Sequence, residues 1–250
     1  MIRPDRNHQP WVAVLAEAST ATISTQLFRR GLRNVFLQGL HPLNPAAARF
    51  VGEAFTLRSI PSREDLDVLE VYEDYDHPQR KAVECVQPGQ VLVIDSRSDV
   101  RAASAGHILL TRLSKRGAAG FVTDGSLRDT PAIRQMAFPA FVADVSATTN
   151  LAHHHVVDMQ VPISCAGVAI YPGDILVGDE EGVVCIPCHL AAELAQPAAE
   201  QERMERFILA KVAAGAPLRG TYPPDADTRR EYAEWLATGH EDGQRAEVPR

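Results

Sequence analysis

The apolar positions of this chain fall into short runs separated by charged stretches and by glycine or proline. Val91-Leu-Val-Ile-Asp95 is long enough for a buried strand and too short for a helix, and Phe121–Thr123 and Phe141–Ala143 read the same way. Helical spacings lie between such runs. Ala18–Arg30 predicts a helix stopped by Gly31, and Ser104–Arg116, with Ile108, Leu109 and Leu113, predicts another ending near Gly117. Val51–Leu57 predicts a strand whose Gly52 suits close backbone approach. Ser62–Val86 is polar apart from marks such as Leu66, Leu69 and Val83, and predicts mainly helix with a break near His77-Pro78. Strand and helix alternating in this way predict an α/β core.

Downstream the pattern turns β-rich and then helical. Val168–Ile170, Asp174–Gly178 and Val183–Ile186 predict strands, the last two paired as a hairpin, with turns at Pro172-Gly173 and Asp179–Gly182. Cys188–Ala214 predicts a long helix, charged at Glu200–Arg206 and ended by Gly215-Ala-Pro217. The expected organisation is one α/β domain over residues 1–217 and a C-terminal arm over 218–250. Tyr222, Tyr232 and Trp235 would anchor that arm on a neighbouring subunit, because its apolar content is too small for a core of its own.

Composition narrows the function. Over 250 residues, 45% hydrophobic content suffices for a full core. A formal charge of −7 argues against nucleic acid as a partner, so any anionic ligand would need a local positive site. No run of about 18 apolar residues offers a membrane span, and the polar start Met1-Ile-Arg-Pro-Asp-Arg6 lacks a secretory apolar core, so the expected location is cytoplasmic.

Cys185-Ile-Pro-Cys188 has the spacing of a redox or zinc pair, but no second pair exists and it closes a strand, which favours two small structural residues. His153-His154-His155 reads as a surface loop in preference to a metal site. Asp174 and Asp179, beside turns, suit caps better than a general base. Asp124 either orients Arg128 from behind or finishes a strand.

The chemistry concentrates in Gly117–Thr130, where Arg128-Asp129 follows an apolar strand, with Gly125 expected to permit a sharp turn. Past Thr130-Pro131, Ala132–Met136 predicts a short helix whose first turn suits anions. Arg128 can hold a carboxylate or carbonyl oxygen, and Asp129 a hard divalent cation. Together they suggest a metal-assisted site for a small oxo-acid.

Gly117–Thr130 together with Pro172–Pro187 resembles the RraA-like family, which includes the class II 4-hydroxy-4-methyl-2-oxoglutarate aldolases and the regulator of ribonuclease activity A. The resemblance extends less sharply from Val51 to Gly215. It implies a single compact α/β/α swivelling-domain-like fold, here with a C-terminal helix and extended tail, assembled as trimers or hexamers with active sites between subunits. It also implies that backbone amides of Gly106-His107-Ile108-Leu109 hold the pyruvate carboxylate and that Arg128 binds the keto oxygen. Asp129 would ligate Mg²⁺ or Mn²⁺, partly through waters that Glu205 of a neighbouring subunit, or in reserve Glu202, helps to hold. The family commonly places an acidic residue where this chain has His107.

The implied function is a divalent-metal-dependent lyase with a small-molecule 2-oxo acid substrate. It would cleave a 4-hydroxy-2-oxo acid such as 4-hydroxy-4-methyl-2-oxoglutarate or 4-carboxy-4-hydroxy-2-oxoadipate to pyruvate, and would decarboxylate oxaloacetate. The alternative is a non-enzymatic regulator of a ribonuclease. Methyl transfer to a quinone has little support, since no nucleotide-binding glycine loop follows a first strand.

Overall fold

The computed structural model describes residues 9–237. Its strands are β1 (His41–Pro42), β2 (Phe50–Pro61), β3 (Gln90–Asp95), β4 (Ala103–Ala105), β5 (Gly120–Leu127), β6 (Ala140–Val145), β7 (His154–Met159), β8 (Ile163–Cys165), β9 (Val168–Ile170), β10 (Ile175–Asp179) and β11 (Gly182–Ile186). Its helices are α1 (Pro10–Leu15), α2 (Thr20–Arg29), α3 (Pro78–Cys85), α4 (His107–Lys115), α5 (Thr130–Ile133), α6 (Ala191–Ala213), α7 (Leu218–Thr221) and α8 (Ala226–Ala237). The described residues divide into two compact units, with the boundary after Ala198.

In the first unit, the main sheet runs β1-β6-β5-β3-β2-β10-β11, with β4 added to β5 and β7 to β2. The pairs β2–β3, β3–β5 and β5–β6 are parallel, whereas β10–β11 form the expected antiparallel hairpin. Central strands are buried on both faces, and their side chains alternate between two cores. Leu92, Ile94, Phe121 and Leu57 pack with Leu110 and Leu113 of α4, while Val91, Val93, Val122 and Ala54 pack with Ile163, Val168 and Ile170 of the β8–β9 ribbon. A third core sets Ile23 and Leu27 of α2 against Val184 and Ile186. In the second unit Phe207 and Ile208 pack with Tyr232, whose hydroxyl donates to Glu200 Oε1 at 3.0 Å. Tyr222 remains exposed. Residues 238–250 of the expected arm lie outside the described residues.

Several local expectations need correction. Only Leu69–Glu73, as a 3-10 turn, and α3 are helical between residues 62 and 86, because the acidic 62–77 stretch has too few apolar positions to hold an amphipathic helix against the sheet. Ser104 lies in β4 and not in the helix, which starts at His107. The short helix after Pro131 is displaced to Thr130–Ile133. His154 and His155 open β7 instead of forming a surface loop. His154 is buried with Nε2 3.2 Å from Ala102 O, and burial lowers its pKa. His155 Nδ1 lies 2.8 Å from Asp67 Oδ1.

Gly125 departs from the turn expected of it. It sits within β5 and makes no turn. A Cβ there would lie 2.6 Å from Ser104 Oγ and 2.7 Å from Ser96 Cβ, so glycine is required by close approach. Ser96, Ser104 and Thr123 hydroxyls bond one another at 2.6–3.0 Å around it, all buried. Gly125→Ala should therefore cost about 1–3 kcal/mol of stability by overpacking this hydroxyl cluster, as read by urea unfolding. Unchanged stability would show that the cluster yields freely.

Candidate active site

The chain reverses after β5 at Asp129, whose φ of 59° is left-handed, a conformation aspartate tolerates better than most residues. The reversal brings Arg128 and Asp129 over the start of α4, where Gly106 is the N-cap residue. A Cβ on Gly106 would stand 2.7 Å from Asp129 Oδ2 and 3.1 Å from Arg128 Nε, so a side chain there would displace both groups from these positions. Asp129 Oδ2 accepts from the His107 N–H at 3.2 Å, and Leu109 and Leu110 N–H donate to Gly106 O at 3.1 and 3.2 Å. The Ile108 N–H has no partner among the described residues.

Arg128, Asp129, Gly106, Ile108 and Leu109 line one cleft of about 160 Å³. Arg128 Nε stands 3.9 Å from Asp129 Oδ2, and both side chains are about half exposed, at 46% and 52%. The pair is thus loose and solvated, and each group is available to a ligand. His107 reaches Asp129 through its backbone. Glu205 is in α6 within the second unit, where Oε1 accepts from Gln201 Nε2 at 2.8 Å.

The cleft also contains residues that sequence reading missed: Tyr72, Gln79, Arg80, Thr149 and Asn150. Gln79 Nε2 donates to Ser104 O at 2.6 Å and so ties α3 to β4 beneath the cleft. Arg80 lies over the Tyr72 ring, 4.9 Å from its centroid. These residues come from segments with no periodic signal; Pro78, as a helix start, is the single local cue that Gln79 and Arg80 fall in a first turn.

Asp124 takes neither of its expected roles. Its carboxylate accepts from Ser96 N at 2.7 Å, Ser98 N at 2.9 Å and Ala166 N at 3.3 Å, joining loops behind the sheet and leaving Arg128 alone. Asp174 and Asp179 are turn and cap residues as expected: Asp174 accepts from Tyr171 N and Cys188 N, and Asp179 from Thr20 N and Glu181 N. The four cysteines are free, and among the described residues no three His, Cys, Asp or Glu side chains converge as a metal cluster.

Fold and cleft together define an α/β protein with a cleft where a strand-end Arg-Asp pair meets the start of a helix. A family model described as RraA-like (Aldolase/RraA) matches residues 20–185, and the chain belongs to that family. A Thermus thermophilus 4-hydroxy-4-methyl-2-oxoglutarate aldolase is 33% identical over 141 residues, 56% of this chain and 77% of that protein. A Halalkalibacterium halodurans protein provisionally named for the same activity is 36% identical over 182 residues, 71% of this chain and 80% of its own length. The crystal structure of Streptomyces coelicolor RraAS2, described as an unusual member of the RNase ES inhibitor RraA protein family, superposes with a TM-score of 0.71 at 29% identity. That match covers 83% of this chain and 98% of the other. No helix among the described residues is long and apolar enough to cross a membrane.

Proposed function

We propose that the protein is a divalent-metal-dependent lyase that cleaves a 4-hydroxy-2-oxo acid to pyruvate and decarboxylates oxaloacetate. The observation that supports this reading is the meeting of Arg128, Asp129 and the start of α4 in one cleft. In the cleavage, the C3–C4 bond breaks, the 4-hydroxyl loses its proton as C4 becomes a carbonyl, and the electron pair moves onto the 2-oxo oxygen as an enolate. Asp129 is the single carboxylate lining the cleft among the described residues, so that proton passes to water. Decarboxylation reaches the same enolate by loss of carbon dioxide. Protonation at C3 then gives pyruvate.

Arg128 places a fixed positive charge where the enolate oxygen develops, which is worth several kcal/mol when the donor is preorganised. The Ile108 N–H at the helix start receives the 1-carboxylate, helped by the positive end of α4. Asp129 is the group that would hold the cation. One carboxylate suits Mg²⁺ or Mn²⁺, hard ions that keep several waters, and Asp129 Oδ1 is engaged by no protein donor among the described residues. When bound, the ion supplies Lewis-acid withdrawal of charge from the 2-oxo oxygen. His107 adds no negative charge here, so metal binding leans on Asp129.

The assembly we propose is a trimer or hexamer in which Glu205 of a neighbouring subunit faces the metal's waters and the 218–250 arm packs between subunits. The substrate class is 4-hydroxy-4-methyl-2-oxoglutarate or 4-carboxy-4-hydroxy-2-oxoadipate, in the cytoplasm. A second reading, a ribonuclease regulator acting through its outer surface, draws support from the likeness to RraAS2. Pyruvate release from a panel of 2-oxo acids, with and without Mg²⁺ or Mn²⁺, separates the two. Metal-dependent release is expected; none from any acid would leave the regulator. Sedimentation of an active preparation as a monomer would remove Glu205 from the site.

A further inference from the structure

Five buried side-chain polar atoms among the described residues have no hydrogen-bond partner, and three belong to residues grouped about Tyr72: His77 Nδ1, Arg80 Nε and Asn150 Nδ2. Buried donors are ordinarily satisfied, so such a concentration needs a reason. Arg80 stacks on the Tyr72 ring at 4.9 Å, and the His77 ring meets that ring edge-on at 6.0 Å. The Tyr72 hydroxyl donates to Asn150 Oδ1 and lies 3.2 Å from Thr149 Oγ1. Asn150 is only 4% exposed, and its amide nitrogen faces no acceptor.

Arg80 and Asn150 line the same cleft as Arg128 and Asp129. Acidic residues precede Arg80 closely in sequence, yet none forms an ion pair with it among the described residues, and Asp76 pairs with Lys81 at 3.0 Å instead. The described residues lining the cleft thus include two arginines and one aspartate, and Arg80 and Asn150 each carry a buried N–H that no described residue accepts. A charged donor beside a neutral one, both desolvated and both held in place through Tyr72, is an arrangement that an incoming carboxylate satisfies.

We infer that Arg80 and Asn150 form a second anion-holding end of the cleft, which takes the distal carboxylate of the substrate and selects acids with two carboxylates over those with one. The inference rests on reading the cleft as an oxo-acid site. Arg128 holds the reacting end; Arg80 touches a part of the substrate that does not react, and so determines specificity.

The test is binding, which does not depend on turnover. Titration calorimetry at fixed Mg²⁺ compares 2-oxoglutarate with 2-oxopentanoate, which has the same chain length but lacks the distal carboxylate. The wild-type protein should prefer 2-oxoglutarate by about tenfold or more, and Arg80→Gln should bring the two to within about twofold. Arg80→Lys should keep part of the preference, and Asn150→Asp, which keeps the acceptor for Tyr72 but adds a repelling charge, should lower it. Arg80 acting only as packing for Tyr72 would weaken both ligands together and leave their ratio. Equal wild-type affinities, no binding of either acid, or a preference that survives Arg80→Gln would overturn the proposal. Should Arg80→Gln not fold, the Lys and Asp variants decide. A preference lost with Arg80 in a protein that cleaves no 4-hydroxy-2-oxo acid would keep this subsite and reject the lyase.

Discussion

Replacing Asp129 by asparagine is expected to remove metal-dependent pyruvate release, lowering kcat/KM by on the order of 10³, about 4 kcal/mol of transition-state stabilisation. The substitution isolates charge. Asparagine tolerates the left-handed backbone at this position, where φ is 59°, and its amide oxygen can still accept from the His107 N–H. What disappears is the one negative charge that lines the cleft among the described residues. A cation held mainly by waters and this carboxylate would lose its anchor, and Arg128 would keep its place. Pyruvate release across a Mg²⁺ titration, with a circular-dichroism melt as control for folding, gives the answer. Full turnover of Asp129→Asn at limiting metal would mean that the cation, if used, binds elsewhere. Asp129→Ala should be as inactive and also less stable, since alanine resists a positive φ.

How much of this was legible in the sequence depended on whether local pattern or distant pairing set each element. β3 and the β10–β11 hairpin follow from apolar runs bounded by turns, and α2 ends beside Gly31, which adopts φ 86° as a helix stop demands. Gly52 was read correctly as a close approach; a Cβ there would lie 2.7 Å from Gly89 O. Gly125 was misread because glycine marks both turns and crowded strands, and only the neighbouring strands distinguish the two. β4 has three residues and no period of its own, existing because β5 pairs with it. β7 begins in a histidine cluster that looks polar, yet antiparallel pairing with β2 buries His154.

The candidate site divides along the same line. Residues 106–109 and 128–129 lie in two stretches with recognisable local chemistry, and the fold brings Gly106, Ile108, Leu109, Arg128 and Asp129 into one cleft, with His107 meeting it through its backbone N–H alone. Tyr72, Arg80, Thr149 and Asn150 come from a 3-10 turn, the first turn of a helix, and the N-cap and first residue of another 3-10 turn. Such segments have no hydrophobic period to announce them. Their significance lies in desolvation, a property of the folded chain that spacing in the sequence does not encode.

Arg128→Lys is expected to lower kcat by about 10²–10³ while the protein stays folded and still binds its cation. Lysine keeps the positive charge, so a purely electrostatic role would survive with a modest loss. The guanidinium differs in being planar, with donors fixed in a fork that can meet the 2-oxo oxygen and a neighbouring carboxylate oxygen together. Half exposed and 3.9 Å from Asp129 Oδ2, Arg128 is not locked in an ion pair that a ligand would first have to break. Its donors are available to the charge that develops in the transition state. A lysine ammonium, compact and strongly hydrated, would have to shed water to reach the same oxygen and could satisfy it from fewer directions. Steady-state kinetics separate the possibilities. A fall in kcat together with kcat/KM places Arg128 on the developing enolate, whereas a raised KM at unchanged kcat would confine it to holding the ground-state acid.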